Sequence, residues 1–195
     1  MVNRPLALRG RRAALLLALS LAATAVAAQP AAMPRNKLAR SDAEFLIKAA
    51  EAGRSEVVAG KIAIAKAVNT QVRGFAQQMV DEHTRSNDEL SALAAAKGLD
   101  VPGEPSLAQG AKIKLLSSRD GAGFDRSYAQ TFGVRAHREA LNLFQKAADH
   151  ASDADIKAFA AKALPMLAHH FDMAREMKAV VDKEGNARAA SDRKQ

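Results

Sequence analysis

The chain contains no cysteine. That absence excludes a disulfide framework, thiolate metal sites and a lipid anchor on a cleavage-site cysteine. It also has no tryptophan, one tyrosine and seven phenylalanines in 195 residues, and clusters of β-branched residues are scarce. With alanine used heavily, such a composition favours helix over sheet. The lack of interleaved aromatics removes the stacking platform of a nucleic-acid binder, so no nucleic acid is expected as a partner. Beyond the N-terminus, no stretch approaches the run of about twenty apolar residues needed to cross a hydrocarbon core. Glu-x-x-His, the signature of di-iron bundles, is missing, as are a nucleophile elbow, a phosphate loop and paired catalytic carboxylates. Ferroxidase chemistry is therefore not expected, and a non-enzymatic role is.

What is present begins with an address. Arg4, Arg9, Arg11 and Arg12 precede an apolar run from Ala13 to Ala23, and Ala25-Val26-Ala27-Ala28 follows. This is the charged, apolar and small-residue order of a secretory signal peptide. Residues 1–28 read as that signal, cleaved after Ala27 or Ala28. Arg11-Arg12 weakly resembles a twin-arginine signal, but ordinary Sec export is the expectation. The mature protein is expected in the periplasm or peripherally at the outer membrane. About 167 residues then remain, one domain's worth. Loss of four arginines lowers the net charge from +8 to about +4. Part of that excess lies in Lys183, Arg188, Arg193 and Lys194; residues 185–195 read as a basic flexible tail, more commonly a solvated, frayed end than a contact for an envelope protein or an anionic surface.

Residues 29–40, with Pro30 and Pro34, read as a linker, and residues 41–184 as the folded domain. Ser41 and Glu44 have capping-box spacing, and a helical stripe follows through Phe45, Ala49, Ala52, Gly60, Ala63 and Ala67. Gly53 and Gly60 imply close helix contact, because glycine inside a helix costs about 1 kcal/mol relative to alanine. Asn69-Thr70 break the run and cap a second helix with Val72, Phe75, Met79, His83 and Leu90 on its stripe, ending at Gly98. Residues 98–123 hold two prolines and several glycines and form a long crossover, with a short helix over Leu107 to Leu116. A third helix starts near Phe124. Ser152 and Asp155 have the spacing to open a fourth, which Pro165 is expected to kink and Gly185 to end. The fold class is all-α, a ferritin-like four-helix bundle whose long crossover joins helices 2 and 3.

Four polar residues fall on the inward stripes: Glu56, His83, His137 and His170. Glu56 lies 13 residues before Asn69 and His83 14 after it, so those two are level. His137 and His170 lie 14 and 19 residues from Ala151, a mismatch of roughly 7 Å at about 1.5 Å per residue. Three imidazoles and a carboxylate suit a single transition metal ion, whether zinc, copper or iron. Metal-free, the same groups can form a hydrogen-bonded layer in which a histidine meets Glu56, the commoner use of such residues. Met79, Met166, Met173 and Met177 near the histidines add soft donors, though methionine at helical spacing is usually core filler. His150 and His169 are expected to be exposed.

Asp42, Phe45, Ala49, Glu56, Phe75-Ala76, Met79-Val80, His83-Thr84, Asn87, Leu90, Phe124-Asp125, Tyr128, His137, Leu164-Pro165 and His170 together resemble the family called domain of unknown function 4142. The resemblance spans residues 41–178, with Glu82 where the family usually has aspartate. It implies a ferritin-like bundle in exported bacterial proteins of the periplasm or outer membrane. It implies no established activity. Two functions stand open: a non-enzymatic binding or envelope-stress bundle, and a metal-binding protein built on Glu56, His83, His137 and His170.

Overall fold

A computed structural model describes residues 38–192. The signal-like segment, most of the linker and residues 193–195 lie outside the described residues. Among the described residues there are six α-helices and one π-helical segment: α1 (Arg40–Lys66), α2 (Thr70–Ala96), α3 (Leu107–Ser117), α4 (Gly121–Tyr128), the π segment Ala129–Arg135, α5 (Ala136–His150) and α6 (Ala154–Asp192). No strand occurs among the described residues. No helix there is long and apolar enough to cross a membrane.

α4, the π segment and α5 follow one another without a break. They form one rod, so the bundle has four: α1, α2, this composite rod and α6. α1 packs on α2, α5 on α6, α1 beside α5 and α2 beside α6. Two side-chain latches fix the directions. Asp125 of α4 accepts the backbone N–H groups of Val68 and Asn69 in the α1–α2 turn. Asp42 of α1 accepts those of Ser152 and Asp153 in the α5–α6 turn. The composite rod thus starts where α1 ends and finishes where α1 begins, and every adjacent pair is antiparallel. The crossover carrying α3 returns the chain from the end of α2 to the α1–α2 turn, the ferritin-like connection.

The glycines in α1 do what their positions imply. A Cβ at Gly60 would stand 2.8 Å from Val80 Cγ2 and 3.1 Å from the Ala76 carbonyl. At Gly53 it would collide with the Asn87 amide. The caps fall partly elsewhere than the spacing indicates. Asn69 does cap α2, accepting from Gln71 and Val72. At α1 no side chain caps: Ser41 bonds Asp42 and Glu44 pairs with Arg40. At α6 the capping oxygen belongs to Asp153, which accepts from Asp155 and Ile156, one residue beyond Ser152. A capping box forms at α3 instead, between Ser106 and Gln109.

One expectation for the last helix is corrected. α6 stays helical through Pro165, whose ring is exposed, so the carbonyl that loses its partner can be hydrated. It also passes Gly185 and runs to Asp192, so residues 185–192 are helix rather than loose tail. Gly185 is buried there against the Arg126 side chain, and its missing Cβ makes room for the guanidinium. A local widening lies in the third rod, at Ala129–Arg135.

The apolar core is in two parts. One, toward the α1–α2 turn, is built on Val72, Met79, Phe124, Tyr128 and Phe132. The other, toward the α5–α6 turn, is built on Leu46, Leu90, Phe144, Ile156 and Leu167. Between them sit the buried polar residues Glu56, His83, Asn87, His137 and His170.

Candidate metal centre

Three helices deliver three imidazoles to one point. His83 comes from α2, His137 from the first turn of α5 and His170 from α6. Each is at most 7% exposed, and one ligating nitrogen from each lies within 4.8 Å of the others. The ring centroids are 5.3 to 5.6 Å apart. His83 Nε2 and His137 Nε2 face each other at 3.5 Å.

The depth mismatch between His137 and His170 closes for two physical reasons. His137 is thirteen residues from the end of α5 and His170 sixteen from the start of α6. With the turn excluded, the offset is about 4.5 Å rather than 7. Helical side chains also lean toward their own N-terminus. In this antiparallel pair, His137 therefore leans away from the turn and His170 toward it.

Two of the three rings have their tautomer set from outside. His137 Nδ1 lies 2.8 Å from the Gly133 carbonyl and 3.1 Å from that of Phe132. It donates there, which leaves its Nε2 lone pair facing the cluster. The acceptors come from the π segment, whose wider turn disturbs the regular carbonyl ladder. Such insertions recur at functional positions. Gly133 belongs to the same device: its Cβ would stand 3.2 Å from both Ala174 Cβ and Met177 Cε, so its smallness lets the widened turn sit close against α6. His170 Nε2 lies 2.7 Å from Glu82 Oε2, while its Nδ1 is buried with no partner within the protein.

Burial sets the charge states. It drives His83 well below the ordinary histidine value, with His137 and His170 adding to the effect. His137 falls to about 4, as burial outweighs its bonds to Gly133 and Phe132. Burial also lowers His170, against the pull of Glu82. For Glu82 burial acts upward, but hydrogen bonds from His170 and Gln78 prevail and hold it low. At neutral pH three neutral imidazoles converge, one of them donating to a carboxylate.

Glu56 is placed differently from the expectation. It is buried in α1, but the carboxylate that meets a histidine is Glu82's, one residue before His83. α2 and α6 are neighbours in the bundle whereas α1 and α6 are diagonal, so Glu82 reaches His170 and Glu56 does not. The Oε2 atom of Glu56 has no partner within the protein. Burial raises its pKa well above the usual range. It lines, with His83, His137 and Asn87, a chamber of about 200 Å³. Met79 and Met177 are core side chains, and His150 and His169 are exposed. Glu82 escapes stripe reasoning because it sits on the flank of α2. The signal that finds it is the adjacency of α2 and α6 and not the periodicity.

The arrangement defines a class first: a four-helix bundle with a buried three-histidine layer. The profile of the domain of unknown function 4142 matches residues 27–177, and the chain belongs to that family. No curated protein matches it. Among solved structures it is similar to a domain of unknown function 305 fragment from Deinococcus radiodurans, at 14% identity and a TM-score of 0.62, covering 75% of this chain and 98% of that one. It is also similar to a conserved hypothetical protein from Mycobacterium tuberculosis, at 18% identity and a TM-score of 0.56, covering 71% and 91%. Both likenesses concern the fold.

Proposed function

We propose that this chain is an exported, non-enzymatic metal-binding bundle in which His83, His137 and His170 hold one transition metal ion. The convergence of three buried, neutral imidazoles carries the reading. Tetrahedral zinc with bonds of about 2.0–2.1 Å places its nitrogens roughly 3.3 Å apart. Donors already within 4.8 Å, two of them at 3.5 Å, need little movement to reach that spacing. The three imidazoles need lose no proton at neutral pH. The carbonyls behind His137 and the carboxylate behind His170 are the outer partners that orient ligating imidazoles. On this reading Glu56, which lines the chamber with His83 and His137, turns toward the ion as fourth ligand and gives up its proton there. Zinc, copper and iron all suit the set.

Export to the periplasm rests on the charged, apolar and small-residue order of residues 1–28, and contact of the basic C-terminal end with an anionic surface rests on its charge alone. Intact mass of the secreted form checks the first, with Ala28 or Gln29 expected as the first residue. For the metal, chelator-treated protein is melted with and without zinc or Cu(II). A ligand at a hundred times its Kd stabilises by about 2.7 kcal/mol, so a rise of several degrees is expected. His83→Ala and His137→Ala should each abolish it, Glu56→Gln should weaken it, and His150→Ala should leave it intact. Equal shifts in the wild type and in the His83→Ala, His137→Ala double variant would overturn the assignment.

A further inference from the structure

The chamber beside the histidines extends well beyond what an ion needs. Its volume of about 200 Å³ exceeds that of a cavity of about 150 Å³ known to take up benzene. The walls are Leu90, Leu143 and Phe144 with small residues such as Ala52 and Ala140. Exposed Lys48, Lys112 and Glu139 stand at its rim. At the inner end are two side chains at most 5% exposed, Glu56 and Asn87. Glu56 Oε2 and Asn87 Nδ2 both lack a partner within the protein. A buried amide donor left unbonded is costly, so a ligand able to accept from it would be drawn in.

We propose that this chamber binds a small uncharged amphiphile, a single ring or short aliphatic body carrying one hydrogen-bonding head such as a phenol hydroxyl or a primary amide. The body occupies the space between Leu90, Leu143 and Phe144, and the head reaches Asn87 Nδ2 and Glu56. An anionic head is disfavoured because the lysines stand at the rim, away from the inner end, and a buried ion needs a partner. Gly53 belongs to the site: the absence of its Cβ is what allows the Asn87 amide to lie where it does.

The test uses the chelator-treated mature chain, so it does not depend on the metal reading. A chain that binds the probe but no zinc keeps this inference and loses the earlier one. Backbone amide shifts are followed while phenol, benzamide, benzoate and benzylammonium are titrated separately. Phenol and benzamide should saturate at about millimolar concentration or below, with the largest shifts around Asn87, Leu90 and Phe144. Ala140→Leu, which fills the space, and Asn87→Leu, which removes the head's partner, should each weaken binding at least about tenfold. Ala52→Leu is the substitute if either loses the native spectrum. No saturable binding by either neutral probe overturns the proposal, as does equal affinity in the wild type and the filled variants. Benzoate or benzylammonium binding as tightly as phenol overturns the uncharged head.

Discussion

The buried acids at the ends of the bundle and those at its middle are treated in opposite ways. Asp42 and Asp125 are each 2% exposed, and each receives two backbone N–H groups from the turn of the other hairpin. Glu56 is nearly as buried, yet one of its oxygens meets nothing in the protein. A carboxylate surrounded by donors holds the fold together, while one left short of donors lowers stability unless something else arrives. The contrast separates carboxylates that fasten the fold from one that does not, among residues that composition alone would place together.

Removing the fastenings should have the largest effect. Asp42→Ala frees the N–H groups of Ser152 and Asp153, and Asp125→Ala those of Val68 and Asn69. Hydrogen bonds to charged groups contribute about 1.5–3 kcal/mol each; with two lost per variant and the freed turn N–H groups partly hydrated, each variant should lose about 2–4 kcal/mol. Urea unfolding of metal-free protein measures it. A loss below about 0.5 kcal/mol in both would show that the latches are not what joins the hairpins.

Much of this was legible in the sequence, and the limits follow from geometry. The inward stripes place Glu56, His83, His137 and His170 correctly because helical period depends on nothing outside the helix. The depth of His137 against His170 is not given by counting residues, since side-chain lean and turn length each shift it by a few ångströms. Asp42 and Asp125 belong to the family pattern, but their partners lie 110 and 57 positions away, which no local rule can pair. The π segment has no signature in Ala129–Arg135. Gly185 carries the usual mark of a helix end, but a long-range neighbour, Arg126, overrides it.

The next effect in size concerns pH. His137 is held at about 4 against about 6.5 for the unfolded chain, and His83 and His170 are shifted the same way. Between those values the unfolded state takes up protons that the native state refuses, so stability falls as pH drops. The contribution is fully present above about 6.5 and is lost toward 4, at roughly 3 kcal/mol for His137 alone. Glu56 acts oppositely: its raised pKa favours the fold at low pH and costs stability as pH rises above the unfolded value. Chemical denaturation across this range should show His137→Phe flattening the acid limb. An unchanged acid limb would mean that the imidazoles do not stay neutral in the fold.

The smallest expected effect is at Glu56. In metal-free protein Glu56→Leu removes a carboxyl that lacks a full set of partners and replaces it with apolar volume beside Tyr128, whose hydroxyl is raised by burial and by the Glu56 charge. Exchanging buried polar groups for apolar ones of similar size is often neutral or stabilising, so a change between zero and a gain of about 1 kcal/mol is expected. The gain should grow with pH, because the native wild type pays an increasing proton-uptake cost at Glu56 as pH rises. Asp42→Leu, the same exchange at a latch, should instead lose about 2–4 kcal/mol. Matching losses at the two positions would mean that Glu56 is held by donors after all, and the middle of the bundle would then be fastened like its ends.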